Sequence, residues 1–207
     1  MSAACWHCDQ PSGESLFCRF CSSLQPPTTD YFRFFGLDRR LSLDPADLQK
    51  RFYDLSRLIH PDRYTRRPPN EQRYSLEATA ILNDAYRVLR DPVSRAEYVL
   101  KEEGFDIGEQ KSSNAPPELL EEVFELNMTL EELRGGEESA RPLLEAELAR
   151  FRSLRDGIDD EMHERFADFD RTGNRGALDE IRSLLNRRRY IHNLTGQVER
   201  ELQERRG

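Results

Sequence analysis

The sequence predicts an all-α protein. Charged side chains make up 34% of its 207 residues against 9% aromatics, a balance of solvated helices rather than of sheets. Its long stretches are rich in Leu, Glu, Arg and Ala, and their apolar residues recur at spacings of three and four, the period of a helix with one buried face. No apolar run approaches the ~20 residues needed to span a bilayer. The chain divides into a four-cysteine knuckle (1–27), a block built on a helical hairpin (28–104), a polar linker (105–116) and an antiparallel three-helix bundle (117–207). It has neither an internal repeat nor a low-complexity tract.

The knuckle comes first. All four cysteines lie within the first 21 residues, as Cys5-x-x-Cys8 and Cys18-x-x-Cys21, with the turn residues Pro11, Ser12 and Gly13 between the pairs. Each tight pair can place two thiolates on one ion, and four complete a tetrahedral shell. Structural Zn2+ is the natural occupant, needing no redox change and accepting all-sulfur coordination. An iron-bound, rubredoxin-like site is the alternative. Two disulfides fit poorly with a chain showing no secretory signal, and a redox Cys-x-x-Cys would open a helix beside a βαβ unit. His7 lies inside a set already complete and is read as a surface residue. Pro26-Pro27 closes the block.

The second block opens with Asp30-Tyr31-Phe32-Arg33-Phe34-Phe35-Gly36-Leu37: a cap, one apolar turn of helix and a Gly stop. Asp44-Pro45 starts the next helix, whose Leu48, Phe52, Leu55 and Ile59 form a core-facing stripe. Lys50 and Arg57 fall on the opposite, open face. Proline disfavours α geometry in the residue before it, so the helix breaks at His60-Pro61-Asp62 and leaves His60 and Asp62 on an exposed loop. His60 has no nucleophile beside it, and no catalytic constellation is present; the chain is not read as an enzyme. A further helix is expected over about 71–89, with Leu76 and Ala80 on one side and Ile81, Ala85 and Leu89 on another. Asp91-Pro92 ends it, and a short helix follows over 94–102.

In the last block, Gly135-Gly136 and Thr172-Gly173 separate three long helical patterns. At 100° per residue, Leu119, Val123, Leu126, Leu130 and Leu133 make one stripe on the first of them. Leu120, Phe124 and Met128 make a second, about 140° away and flanked by Glu121, Glu125 and Glu132. A bundle helix needs one buried stripe, so the second is read as a partner surface. The alternative is that another part of the chain covers it. The other two helices carry Leu144 to Phe169 and Leu178 to Leu202 at regular spacing, and short connections make them antiparallel neighbours.

The net charge of −8 is uneven. Residues 28–104 carry 14 basic and 13 acidic side chains, and residues 105–207 carry 16 and 24. An acidic C-terminal half argues against nucleic acid as a partner. Arg187, Arg188 and Arg189 read as a solvated helix face rather than as a phosphate site. No targeting segment is visible at the N-terminus.

Two helices joined by His-Pro-Asp resemble the J domain. The resemblance is carried by Asp30-Tyr31-Phe32 with Gly36-Leu37, by Leu58 to Arg63, and by Asn83 to Leu89 with Asp91-Pro92 and Arg95. It implies that His60, Pro61 and Asp62 contact a DnaK-class heat-shock chaperone and trigger its ATP hydrolysis, with Lys50 and Arg57 in support. Asp54, on the same face, departs from an all-basic patch. A four-cysteine knuckle, a J domain and an acidic three-helix bundle, in that order, are together similar to the HscB family of iron–sulfur cluster co-chaperones. Arg95-Ala96-Glu97-Tyr98 with Leu100, and Leu119 to Glu122 with Glu125-Leu126-Asn127, mark the likeness. It implies that Leu120, Glu121, Phe124, Glu125, Met128 and Tyr190 bind the cluster scaffold protein, of the IscU type. It also implies a eukaryotic source and the mitochondrial matrix, with the cytoplasm as the alternative. A homodimer is left open. Two further readings stand beside the adaptor: a zinc- or redox-sensing regulator acting through the cysteines, and a general J-domain co-chaperone for misfolded proteins.

Overall fold

The computed structural model describes residues 4–13, 15–107 and 120–204; the side chains of Glu121 and Glu122 also lie outside the described set. The described residues are almost entirely helical, with two isolated β-bridges, Ala4–Pro11 and Phe17–Leu24, and no strand. The chain forms two compact units, Met1–Tyr98 and Val99–Gly207.

In the first unit, α1 (Tyr31–Phe35) begins where the Asp30 carboxylate accepts from the Arg33 N–H, and stops at Gly36, whose φ of 62° lies in the left-handed region that favours glycine. Helix α2 (Pro45–Ile59) starts on the Asp44 carboxylate, with proline in the first turn. A single 3₁₀ turn, Pro61–Arg63, leads to α3 (Pro69–Arg90). Asp91 then accepts from the Ser94 N–H and opens α4 (Pro92–Glu102). The core gathers Phe32, Phe35, Leu41, Leu48, Ile59, Leu82 and Leu89, each at most 3% exposed. Phe52 stacks on Tyr86 with ring centroids 4.3 Å apart, beside this core.

Of the two sides expected on α3, the structure buries the one that carries Ala85 and Leu89. Helix α3 buries Ser75, Ala78, Leu82, Ala85 and Leu89, at spacings of three, four, three and four, while Leu76 is 61% exposed. Ser75, and not the neighbouring Leu76, holds the core position.

Arg95 is buried. Its guanidinium donates to the carbonyls of Leu41, at 2.8 Å, and of Leu89. Tyr98 stacks on Tyr31, and its hydroxyl accepts from the Tyr31 N–H at 3.2 Å. Two residues of the Arg95 to Tyr98 motif are thus accounted for by packing.

The second unit is built on α5 (Leu120–Arg134), α6 (Ala140–Thr172) and α7 (Arg175–Glu204). Gly136, at φ 94°, breaks the chain between α5 and α6, and Gly173, at φ 64°, between α6 and α7. Leu126, Leu130 and Leu133 of α5 are buried, as are Leu144, Phe151, Ile158, Met162 and Phe166 of α6 and Ile181, Leu185, Ile191 and Val198 of α7; α6 packs on both α5 and α7. Arg188 of α7 donates to both carboxylate oxygens of Asp159 on α6, at 2.5 and 3.2 Å. Part of the Arg187 to Arg189 cluster therefore ties two antiparallel helices together. Arg134 pairs with Glu201 at 2.9 Å and so joins the C-terminal ends of α5 and α7, which run parallel. Phe105, expected in the linker, lies between the guanidiniums of Arg175 and Arg182, 4.9 and 5.6 Å from its ring centroid. Residues 108–119, including Leu119, are not described.

Candidate functional site

Three features carry chemistry. The first is the four cysteines, whose sulfurs all lie within 4.8 Å of one another. Cys5 and Cys21 are 3.7 Å apart, Sγ to Sγ, and Cys8 and Cys18 are 3.8 Å apart. A tetrahedron with metal–sulfur bonds of about 2.3 Å has edges of about 3.8 Å, so the donor set fits a single ion. The two knuckles repeat one geometry. Cys5 N–H donates to the Gln10 carbonyl and Asp9 N–H to that of Cys5; likewise Cys18 to Ser23 and Ser22 to Cys18. Each knuckle turns back through one residue with φ near 60°, Asp9 and Ser22.

Hydrogen bonds to the sulfurs come from the His7 N–H to Cys5, the Phe20 N–H to Cys18 and the Gln25 side-chain amide to Cys5. Such donors offset the negative charge that four thiolates gather around a dication. Their hydrogen bonds make the sulfurs inequivalent. The Ser23 hydroxyl and backbone N–H draw Cys21 down to about 5. The Gln10 N–H acts the same way on Cys8, but burial and the neighbouring sulfurs outweigh it and push that thiol up to about 12. His7 is exposed, outside the donor set.

The second feature is the loop between α2 and α3. Proline at 61 ends α2 early and leaves its last carbonyls without helical partners. Each finds a side chain: the Arg63 guanidinium donates to the Arg57 carbonyl at 3.2 Å, the Tyr64 hydroxyl to that of Leu58 at 3.1 Å, and the Ser75 hydroxyl to that of Ile59 at 2.6 Å. Burial and nearby Glu71 raise the Tyr64 phenol above its ordinary range. Within the loop, the His60 Nδ1 accepts from the Asp62 N–H at 3.3 Å and lies 3.5 Å from an Asp62 carboxylate oxygen. The side chains of His60 and Asp62 remain 54% and 87% exposed. A fixed backbone thus holds out two polar groups to solvent. Lys50, Asp54 and Arg57 are exposed on α2, as is Tyr53, an aromatic that the periodicity did not single out.

The third feature is the outer face of α5. Leu120, Phe124 and Met128 are 56%, 66% and 52% exposed, while Leu126, Leu130 and Leu133 on the other stripe are at most 1% exposed. Val123 is half-buried and Glu125 exposed. Tyr190 on α7 is half-buried, and burial raises its phenol. The structure therefore separates the two stripes as their angles demand.

Ser75 and Tyr64 were not singled out by the sequence, and Arg63 only as the last residue of a motif. The signal for Ser75 was present, as a small hydroxyl residue at spacings of three and four with Ala78, Leu82, Ala85 and Leu89. Tyr64 and Arg63 act through carbonyls that no periodicity marks.

Residues 30–98 match the DnaJ domain family. The iron-sulfur cluster co-chaperone protein HscB of Mus musculus is 30% identical over 201 residues, covering 94% of this chain and 80% of the mouse protein. HscB of Homo sapiens is 37% identical over 134 residues, covering 62% of this chain and 57% of that protein. The HscB homolog of Arabidopsis thaliana is 34% identical over 132 residues, covering 63% and 52%. The match thus spans little more than half of the human and plant proteins. The crystal structure of human co-chaperone protein HscB superposes with a TM-score of 0.72 at 30% identity, covering 95% of this chain and 97% of that one. The chaperone HscB from Vibrio cholerae gives 0.59 at 25%, covering 82% and 95%. With a J domain, a four-cysteine cluster and a likeness running along nearly its whole length, this chain belongs to the HscB family of iron–sulfur cluster co-chaperones.

Proposed function

We propose that this protein is an adaptor: its J domain stimulates the ATPase of a DnaK-class chaperone, and its C-terminal bundle delivers an iron–sulfur scaffold protein of the IscU type, promoting cluster transfer. The observation that carries the reading is the exposed stripe of Leu120, Phe124 and Met128, on a helix whose opposite stripe is already buried. An exposed apolar row beside Glu125 suits a client with an apolar patch ringed by basic groups. Glu121 joins the surface by family likeness. Tyr190 belongs to it as well. Arg134 pairs with Glu201, and the rises from Glu201 back to Tyr190 and from Arg134 back to Phe124 are nearly equal, which supports this reading.

On the chaperone side, His60, Pro61 and Asp62 form the contact, with Lys50 and Arg57 supplying positive charge and Tyr53 an aromatic face between them. In this reading the ATP is hydrolysed in the chaperone's active site, and the co-chaperone acts by contact. Zn2+ is the ion assigned to Cys5, Cys8, Cys18 and Cys21, where it supplies four sulfur bonds in place of a larger core. The mitochondrial matrix is the compartment we infer, with the cytoplasm as the alternative; protease protection of the tagged protein in isolated organelles checks it.

The deciding experiment measures ATP turnover by a DnaK-class chaperone with this protein, with and without the scaffold. His60→Gln abolishes stimulation and leaves scaffold binding intact, whereas Leu120→Ser with Phe124→Ser does the reverse. Loss of both activities in either variant overturns the adaptor reading.

A further inference from the structure

The cysteine knuckle is fastened to the helix that follows the His-Pro-Asp loop. The Leu24 N–H donates to the Glu71 carboxylate at 3.0 Å, and the Leu24 carbonyl accepts from the Trp6 indole N–H at 2.7 Å. Leu24 is fully buried, and Glu71, in the first turn of α3, is 6% exposed. The Trp6 ring meets Tyr74 edge to face, with centroids 6.3 Å apart. One turn on from Glu71 stands Ser75, whose hydroxyl holds the Ile59 carbonyl at the root of the loop. A short series of contacts therefore runs from the sulfurs to the loop. Trp6 lies between Cys5 and Cys8, and Leu24 three residues beyond Cys21.

A carboxylate taken out of water needs a partner that stays in place. Leu24 follows the second knuckle directly and pairs with Phe17 in its bridge, so the shape of that knuckle sets where Leu24 lies. Arg67, with its Nε 3.9 Å from the other Glu71 oxygen and its side chain 64% exposed, is a weaker partner.

We propose that the metal-loaded knuckle is a brace for the J domain, with Glu71 the positioning residue that transmits metal loading to the His-Pro-Asp loop. Loading fixes Leu24, Leu24 fixes Glu71, and the first turns of α3 then hold the orphaned end of α2. Loss of the ion releases Leu24, and the loop loses order before the distal part of α3 does. The proposal rests on the reading of the four cysteines as a metal site.

Hydrogen exchange on the full chain tests it, comparing protein loaded with one equivalent of Zn2+ with protein stripped by a chelator under reducing conditions. Bound metal is counted in each sample. Loading is expected to slow exchange about ten-fold over residues 59–75, the effect of one hydrogen bond to a charged group. Residues 79–90 and 140–204 are expected to change little. Glu71→Ala binds its metal but shows no such slowing; Glu71→Gln, which keeps an acceptor oxygen, restores it. Trp6→Phe removes the indole donor without changing any residue of α3 and keeps an aromatic ring against Tyr74; it gives the same loss of coupling should Glu71→Ala fail to fold. Wild-type protein that binds one Zn2+ with unchanged exchange at 59–75 overturns the proposal. So does Glu71→Ala with coupling intact, or exchange that accelerates equally across 28–98. A chain that takes up no metal at the cysteines overturns the metal-site reading and the brace with it.

Discussion

Changing Leu120 and Phe124 to Ser together separates binding from folding on a single helix. The two side chains are 56% and 66% exposed. Fully burying a Leu or Phe contributes about 1.5–3 kcal/mol, so a partner that covers the exposed half or more gains roughly 1–2 kcal/mol from each. At 1.4 kcal/mol per decade, the double change weakens scaffold binding roughly 30- to 1,000-fold. The fold loses little in exchange, because exposed substitutions cost within about 0.5 kcal/mol of zero and Ser is only slightly the poorer helix former. Leu126→Ala, on the opposite stripe and 1% exposed, is the control: a buried Leu truncated to Ala costs about 2–5 kcal/mol. Titration calorimetry against the scaffold protein and urea unfolding of each variant give both quantities. The reasoning is refuted by a double variant that binds within three-fold of wild type, or by one that unfolds as readily as Leu126→Ala.

Three further outcomes are expected. His60→Gln leaves the unfolding midpoint within error, because the imidazole is largely exposed, yet removes chaperone stimulation in a single-turnover ATPase assay. Ser75→Ala leaves the Ile59 carbonyl without its buried donor and costs about 1–3 kcal/mol in urea unfolding, with stimulation weakened through the loop. Cys18→Ser removes one of four sulfur ligands. If these share the ~10–16 kcal/mol of a structural zinc site evenly, affinity falls roughly 60- to 900-fold, which competition with a chromogenic chelator measures.

Residue spacing revealed most of the framework. Asp30, Asp44, Gly36, Gly136 and Gly173 cap or break helices where their chemistry predicts, because capping is local and depends on one side chain and its own backbone. The four sulfurs converge for a similar reason, since each Cys-x-x-Cys pair closes over a few residues. The α5 stripes could be separated by angle alone because every position of that helix carries a clear preference. Helix α3 was less legible. Leu76 is apolar and exposed, Ser75 polar and buried, and only the carbonyl left open by Pro61 makes Ser75 sensible at that position. Glu71 and Leu24 lie 47 residues apart, and nothing local in either predicts that they meet.

That division has a physical cause that bears on function. The groups proposed to meet partners, His60, Asp62, Phe124 and Met128, contribute little to stability because they are exposed, so partner specificity can change at them without unfolding the chain. The groups that hold them in place, Ser75, Tyr64 and Leu126, are buried and costly to alter. A loop kept rigid from beneath loses less conformational entropy on docking than a mobile one, and that saving appears directly as affinity. Weakening a support should therefore reduce chaperone stimulation without touching the contact surface. Ser75→Ala and His60→Gln can both lower stimulation, but for different reasons: the first should be rescued by a higher concentration of co-chaperone, and the second should not.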